Sequence, residues 1–484
     1  MMPRPWWGGG ERRRGSAHAV ARDLDLHDLN YLASKRHVQR GAHDGVSRLP
    51  AIVRSSALFV GRWARSIVAP GATMRHGALR GRVLMGIASR NQRRVADALL
   101  ASEVSGVAPI STVSLVTKGI GSKPRLPLAA AYWDALRCGP STISKARADD
   151  GAYRGAWIEH GAEYALTPGL YLLARRWLAG TKPAVVMVSN DHVMRTRVFL
   201  LAARDEGIPT AYVQHASVTD KFPPLSIDVA FLDGRDALEK YLGAGPTRAH
   251  VFLTGSPLHD ALVAGRDERA PSASVGICLN LLDDPTRVRA LVEALRTRGC
   301  REIEIRAHPR DDRPWRSWLP STMVESVRSA REEHIERFFG RVGAVFAGDS
   351  NVHLEATLYG RASVYVRPLG AGSDAYGFAR AGLVHDIHDL AELPEPLETL
   401  FDAALPEAPL RRFDATVGTR WSGQSSRLIR EVLTAIVQRS KTPPTTFEHS
   451  VALGDARVYA LRSEDLEGLV APGLARPRTS GVMA

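Results

Sequence analysis

Two short polar segments in the second half of the chain carry the residue types that bind phosphate. Residues 306–310 read Arg-Ala-His-Pro-Arg after an alternating run, so His308 is expected at the carboxyl end of a β-strand. Residues 347–355 read Ala-Gly-Asp-Ser-Asn-Val-His-Leu-Glu, and their spacing predicts Ser350 and Asn351 at a helix N-terminus. Free amides, a hydroxyl and an imidazole together predict a site for a nucleotide diphosphate.

The residues beside His308 are expected to complete this phosphate site. Pro309 fixes the turn, and Arg310 is the preferred cationic group. Arg306 is the weaker candidate, because strand alternation places it on the face of His308 only if the turn begins after it. Departure of a nucleotide builds negative charge on the phosphate, and one fixed donor aimed at that charge is worth about 3 kcal/mol.

A transfer reaction also needs a base for the acceptor hydroxyl, and the first half of the chain offers two. His215 lies in Gln-His-Ala-Ser after the predicted strand 210–213, and its imidazole is expected to have a pKa near the working range. Asp191 follows the unbroken apolar strand 184–188 and is the competing base.

The elements that position these residues alternate between strand and helix patterns. The alternation predicts an α/β fold with two Rossmann-like, doubly wound lobes facing a cleft. The predicted divisions are a basic N-terminal arm and surface helix (1–80), a first, acceptor lobe (81–264), a linker (265–274), a second, nucleotide-donor lobe (275–440) and a flexible tail (441–484).

Composition narrows the class of protein. A chain of 484 residues with 44% hydrophobic content exceeds the size of most single cores, which supports two domains. The formal net charge of +13 suits an anionic partner. The three cysteines show no paired spacing, so neither disulfides nor a cysteine metal site is predicted, and a reducing cytoplasm is expected.

The sequence lacks the motifs of several alternative activities. No phosphate-binding loop of the Gly-x-x-x-x-Gly-Lys type occurs, and the histidines show no His-Glu-x-x-His spacing. Asp283-Asp284 and Asp311-Asp312 are adjacent pairs, which helix N-terminal charge explains. A metal site and a resident cofactor are therefore not predicted.

One basic, apolar segment near the N-terminus suggests a membrane surface. Residues 56–69 are interrupted by Arg62 and Arg65 and are too short to span a bilayer. They fit either a helix lying on anionic lipid or a helix packed on its own domain. Peripheral attachment to the inner face of the membrane is thus an open expectation. Residues 1–15 are expected to form a disordered arm.

With these motifs in place, the chain resembles GT-B-type transferases of bacterial surface polysaccharide synthesis. It is similar to CDP-glycerol glycerophosphotransferases and polysialyltransferase-like enzymes in the His308-Pro309 pair and in Asp349-Ser350-Asn351, which approximates their serine-rich motif. The resemblance implies an acceptor-side histidine at His215 and a ribose contact at Glu355. Ala216 stands where those families have glycine, and Gly348 where they have an acid.

The combined expectation is a metal-independent transferase. It would move a sugar or polyol phosphate from a nucleotide-activated donor, bound as substrate, to a surface glycan or lipid-linked acceptor. Two alternatives remain at this point: a non-hydrolysing sugar-nucleotide epimerase, and a non-catalytic basic protein that binds lipid or nucleic acid. Nucleic acid is the less favoured partner of the two.

Overall fold

The computed structural model describes residues 16–31, 48–68, 79–102, 106–116, 125–149, 154–266, 274–318, 327–329, 333–370, 372–401 and 406–469. These residues form two separate sheets, one of eight strands and one of six. The predicted α/β fold with two parallel-sheet lobes is therefore confirmed. Residues 1–15 and most of the predicted linker lie outside the described residues.

The first lobe is built on the larger sheet. Its strands run in the order β13-β14-β6-β5-β4-β3-β1-β2, and all neighbours are parallel except the β13–β14 pair. The strands are β1 (Val83–Ile87), β2 (Ile110–Ser114), β3 (Val185–Val188), β4 (Thr210–Val213), β5 (Val229–Leu232), β6 (His250–Leu253), β13 (His449–Leu453) and β14 (Ala456–Ala460).

The second lobe is built on an all-parallel sheet with the order β12-β11-β10-β7-β8-β9. Parallel strands covered on both faces are apolar throughout, as the fully buried β10 shows. The strands are β7 (Ser274–Cys278), β8 (Glu302–Ala307), β9 (Val327–Ser329), β10 (Ala344–Ala347), β11 (Ala362–Val366) and β12 (His385–Ile387).

Helices cover both faces of each sheet, which divides the buried side chains into separate hydrophobic clusters on the two sides. The α-helices are α1 (Ala17–Arg22), α2 (Leu26–Leu29), α3 (Arg48–Val68), α4 (Arg90–Ala101), α5 (Leu128–Ala148), α6 (Arg154–Thr181), α7 (Met194–Asp205), α8 (Arg235–Ala244), α9 (Asp260–Ala264), α10 (Pro285–Thr297), α11 (Trp315–Trp318), α12 (Ile335–Phe339), α13 (Val352–Tyr359), α14 (Glu407–Phe413) and α15 (Ser425–Val437).

The C-terminal part of the chain departs from the predicted division. The flexible tail is wrong as far as residue 460, because β13 and β14 form a hairpin that extends the first sheet. Tyr459 is buried against Phe252, with ring centroids 4.5 Å apart. Helix α15 also belongs to the first lobe and not the second, since its apolar face covers that sheet beside α4. The chain thus crosses back between the lobes after α14.

The N-terminal region likewise differs from a basic arm. In α1 and α2, Val20, Leu26 and Leu29 are buried in the core of the first lobe. His27 hydrogen-bonds to Asp149 at 2.6 Å and to Tyr164 at 3.1 Å, which ties α2 to α5 and α6. The apolar residues at helical spacing in this segment indicate helices that pack on the first lobe. Among the described residues, none of the helices combines the length and apolarity needed to cross a bilayer.

Candidate active site

The carboxyl ends of β7, β8 and β10 carry the polar turns of the second lobe. Asn351 is the N-cap of α13, and Ser350 Oγ accepts a hydrogen bond from Val352 N at 3.3 Å. Neighbouring parallel strands lie about 4.8 Å apart, so β8 and β10, separated by β7, end roughly 10 Å from each other. The His308 turn and the Ser350 turn therefore occupy one edge of one sheet.

His308 presents a defined tautomer at this edge. Its Nδ1 accepts a hydrogen bond from the backbone amide of Arg310 at 3.1 Å, which leaves the ring proton on Nε2. No described residue accepts a hydrogen bond from that Nε2. Burial and the neighbouring Arg310 guanidinium lower the pKa of His308, so the ring is neutral at pH 7. It is a neutral donor available to an added oxygen.

Pro309 and Arg310 are exposed beside this ring. Arg310 forms no ion pair with any described residue, so its guanidinium is free to meet an anion. Arg306 is the opposite case: it is 8% exposed, and its Nη2 donates to the backbone oxygen of Glu333 at 2.9 Å. The preference for Arg310 over Arg306 as the phosphate ligand stays a prediction. The exposure of Arg310 and the burial of Arg306 both favour it.

Arg313 ties the turns after β7 and β8 together. Its guanidinium donates to Asn280 O and Asp283 O, both at 2.7 Å, and forms a double contact with Asp311. Asn280 in turn donates through Nδ2 to Asp349 O at 3.0 Å, which reaches the turn after β10. One network of backbone and side-chain bonds therefore fixes the three turns relative to one another.

Two carboxylates lie inside this network. Asp349 accepts from Tyr365 OH at 2.8 Å and from Ser373 N and Oγ, and these bonds lower its pKa although burial opposes them. Asp283 is 1% exposed, and its Oδ1 has no hydrogen-bond partner among the described residues. Burial raises the pKa of Asp283 to about 6. A Cβ added at Gly348 would lie 2.9 Å from that oxygen, so glycine keeps the turn close.

The first lobe contributes His215 from the turn after β4. Its Nδ1 is buried and has no hydrogen-bond partner among the described residues. Burial, then the charge of His192, lower the pKa of His215 to about 4, against the raising effect of Asp191 and Ser189. The expectation of a pKa near the working range is therefore wrong, because burial disfavours the charged form of the ring. His215 is neutral at pH 7 and so is able to accept a proton.

His192 joins the two predicted bases. Its Nε2 accepts from Asn190 Nδ2 at 3.0 Å, and its Nδ1 lies 3.3 Å from Asp191 Oδ1. The His192 and His215 rings are stacked with centroids 6.2 Å apart. Phe222 packs edge-on against His192 at 4.8 Å. Asp191 and His215 therefore belong to one cluster, with Asp191 5% exposed and placed behind His192.

The two lobes meet at the turn that follows His215. Ser217 Oγ donates a hydrogen bond to Asn351 Oδ1, which joins the β4 turn of the first lobe to the N-terminus of α13 in the second. One helical turn later, Glu355 is half-buried. Burial raises the pKa of Glu355, although the charge of His259 from the first lobe opposes this rise. Its predicted ribose contact stays a prediction.

A buried acid cluster lies next to this contact between the lobes. The backbone amide of Asp233, at the end of β5, donates to Gln214 Oε1 at 3.0 Å. Burial, with the charge of Asp414, raises the pKa of Asp233 to about 7. His259 Nδ1 lies 3.5 Å from Asp414 Oδ2; burial would lower the pKa of His259, but Asp414 and Asp233 raise it overall.

The structure gathers part of the predicted site where the lobes meet, and the residues it gathers there are His215, Asp191, Ser350, Asn351 and Glu355. His308, Pro309 and Arg310 lie on the same edge of the second sheet, one strand away from the Ser350 turn across β7. Among the described residues, neither His308 nor Arg310 forms a hydrogen bond with His215.

Four other residues of this region were missed by the sequence reasoning: His192, Asp233, His259 and Arg313. The assignment of Asp283 to helix N-terminal charge is wrong, because Asp284 is the N-cap of α10 and Asp283 is buried in the network of turns. His192 could have been found, because it directly follows Asp191 at a strand end. The others act through neighbours that are distant in the chain, which a local pattern does not reveal.

The chain matches no protein-family model and no curated protein. Several solved structures align with it at low sequence identity. A putative UDP-N-acetylglucosamine 2-epimerase from Listeria monocytogenes has a TM-score of 0.47 and 14% identity over 75% of this chain and 98% of that chain. The wall teichoic acid polymerase TagF has a TM-score of 0.46 and 10% identity, and the alignment covers 82% of this chain and 98% of that chain. The UDP-GlcNAc 2-epimerase from Neisseria meningitidis has a TM-score of 0.45 and 14% identity over 72% and 98%.

Proposed function

We propose that the chain is a metal-independent transferase that moves a sugar or polyol phosphate from a nucleotide-activated donor to a surface glycan or lipid-linked acceptor. The observation that carries this proposal is the Ser217–Asn351 hydrogen bond between the lobes. It holds the His215 turn against the helix terminus proposed to bind the donor phosphate. A base and a leaving-group site on opposite lobes are what a transfer between two bound substrates requires.

The second lobe is proposed to bind the donor diphosphate. His308 Nε2–H, the free Arg310 guanidinium and the amides at the N-terminus of α13 supply hydrogen-bond donors and positive potential. These groups would stabilise the negative charge that grows on the departing nucleotide. Arg313 holds the turns of the site in place, so little reorganisation is needed when the charge appears.

The first lobe is proposed to activate the acceptor hydroxyl. Neutral His215 would accept its proton, and the resulting imidazolium would be stabilised by the charge of the nearby Asp191 carboxylate, which raises the pKa of this ring. The low pKa of His215 is set mainly by burial, so an acceptor that brings negative charge next to the ring is expected to raise it.

Donor screening with two variants tests this division of labour. Purified protein is incubated with radiolabelled CDP-, CMP-, UDP- and GDP-linked donors, and release of the nucleotide is followed with and without added glycan acceptor. His308→Ala is expected to weaken donor binding and to lower turnover by about 10²-fold or more. His215→Ala is expected to lower turnover by about 10²- to 10⁴-fold while leaving donor binding unchanged.

The outcomes separate the alternatives. Equal loss of donor affinity in both variants would contradict the assignment of the two lobes. Conversion of a sugar nucleotide into its epimer without any acceptor would replace the transferase with an epimerase. Binding of nucleic acid with a steep salt dependence and no nucleotide turnover would support the non-catalytic alternative.

Helix α3 is proposed to bring the enzyme to an anionic membrane surface. Its inner face packs on the first lobe, where the ring centroids of Phe59 and Tyr132 are 5.0 Å apart. Its outer face exposes an apolar stripe in which Val60 and Ile67 are each 58% exposed. Exposed Arg65 flanks this stripe, and basic residues next to an apolar face favour anionic lipid.

Vesicle sedimentation tests this partner. The protein is expected to sediment with vesicles of phosphatidylglycerol and phosphatidylcholine but not with pure phosphatidylcholine. A Val60→Glu/Ile67→Glu double variant should remain in the supernatant, while Leu100→Glu, which alters an apolar residue exposed on α4, should sediment like the wild type. Equal sedimentation of the double variant and wild type would show that α3 is not the attachment surface.

A further inference from the structure

A cavity lies in the first lobe, apart from the proposed donor site. Its volume is about 350 Å³, and it opens where β1, β2 and β3 end and α7 begins. Polar side chains line much of its wall: Asn30, Ser89, Gln92, His160, Glu163, Asn190 and Arg195. A cavity of this size accommodates a small polar molecule.

The shape of α6 helps to form this cavity. His160 interrupts the helix with φ −118° and ψ 19°, and Ser55 of α3 donates to the carbonyl oxygen of Ile158 at 3.2 Å just before the break. His160 and Glu163, which come after Ile158 in the chain, both line the cavity wall. Glu163 is also 3.8 Å from Arg62, so α3 forms part of the surroundings of the site.

Asn30 lines the cavity and carries an unpaired acceptor. The residue is 1% exposed, and its Oδ1 is buried without a hydrogen-bond partner among the described residues. The amide orientation is fixed, because Nδ2 donates to Leu26 O at 2.8 Å and to Thr167 Oγ1 at 3.0 Å. A buried acceptor left unpaired is costly, so Oδ1 is suited to a ligand hydroxyl or amine.

Arg195 supplies positive charge. Its Nη1 donates to Leu115 O at 2.8 Å, and it forms no ion pair within the described part of the chain. Burial lowers its pKa, yet an arginine stays protonated at pH 7. Nearby Glu163 is shared with Arg62, so this part of the wall keeps excess positive charge. The N-terminus of α7, a helix of 12 residues, adds to it.

We infer that this cavity binds the acceptor through an end group that combines an anionic oxygen with hydroxyls, as a polyol phosphate or a sugar phosphate does. Arg195 would hold the anion, and Asn30 Oδ1 would accept from a hydroxyl. Asn190 borders the cavity and donates to His192, which stacks on His215, so the cavity adjoins the proposed base. The role as acceptor site rests on the proposed function, whereas binding of the group does not.

Calorimetric titration with three probes tests the inference. The wild type is expected to bind glycerol 3-phosphate more tightly than inorganic phosphate or glycerol, since only that probe uses both groups. Arg195→Gln should weaken binding of glycerol 3-phosphate by about tenfold or more, because a charged hydrogen bond is lost. Asn30→Leu should remove the preference over inorganic phosphate. Arg457→Gln, a charge-matched change at an exposed position of β14, should bind like the wild type.

A cavity-filling variant separates loss of binding from misfolding. Val116→Trp leaves both ligand-binding side chains in place but occupies the cavity, so it should abolish binding while thermal unfolding shows a folded protein. Equal affinity for glycerol 3-phosphate in the wild type, Arg195→Gln and Val116→Trp would overturn the inference. Binding lost in His308→Ala but kept in Arg195→Gln would also overturn it, by placing the probe at the donor site.

The result is distinguishable from a failure of the proposed function. Arg195-dependent binding in a protein that turns over no nucleotide donor would support the cavity and reject the transferase. Donor turnover in a protein that binds none of the three probes would support the transferase and reject the cavity as a ligand site.

Discussion

Replacing Asp233 by asparagine is expected to make the protein more stable at high pH. The carboxyl is buried at the contact between the lobes, where its pKa is raised from 3.8 to about 7. The folded chain therefore keeps a proton that the unfolded chain loses above its ordinary pKa. Stability is full below the unfolded pKa and falls as pH rises toward 7. His259, whose pKa is also raised, shifts stability in the same direction.

The magnitude follows from the size of that rise. The pKa goes from 3.8 to about 7, and each pKa unit is worth about 1.36 kcal/mol, so ionising Asp233 costs at most about 4 kcal/mol. The Asp233→Asn variant avoids this cost and keeps an oxygen acceptor for Ser256. It should match the wild type near pH 4 and exceed its free energy of unfolding by up to about 4 kcal/mol at pH 8.

Urea unfolding between pH 4 and 8 measures this difference, followed by fluorescence and circular dichroism together so that a second transition would be seen. Asp97→Asn, on the exposed face of α4, serves as the control and should show no such trend. A stability difference between Asp233→Asn and wild type that is constant with pH, or that favours the wild type at pH 8, would show that ionisation of Asp233 does not destabilise the folded protein.

Two further predictions concern the donor site and the C-terminal hairpin. Burial raises the pKa of Asp283 to about 6, so wild-type affinity for an intact sugar-nucleotide donor should fall as pH rises through 6. Equilibrium dialysis should show a flatter pH profile for Asp283→Asn. Parallel profiles of the variant and the wild type would count against a role for the charge of Asp283. Removing residues 441–484 should lower the melting temperature by about 10 °C or more, since β13 and β14 are lost from the sheet, and an unchanged melting temperature would contradict their structural role.

Local patterns predicted the strands and helices that frame the site. Unbroken apolar runs such as residues 184–188, followed by polar turns, placed Asp191, His215, His308 and Ser350 after strands. This succeeds because parallel strands are buried on both faces and their carboxyl ends share an edge. The pattern of each segment is local, so it needs no knowledge of distant contacts.

Properties that depend on distant neighbours could not be read in the same way. The pKa of His215 is set by burial and by His192, and the contact of Ser217 with Asn351 joins residues from separate lobes. The return of α15 and the hairpin to the first sheet is also non-local. The flexible tail predicted for this region overlooked Gly454 between two apolar runs, and its φ of +62° fits a tight turn.

We propose that the nucleotide diphosphate binds at the carboxyl edge of the second sheet, opposite His215. A crystal structure of the protein with a bound nucleoside diphosphate tests it most directly. We expect phosphate oxygens within hydrogen-bond distance of His308 Nε2 and of the amides that begin α13. A diphosphate bound instead at the ends of β1, β2 and β3 in the first lobe would contradict it.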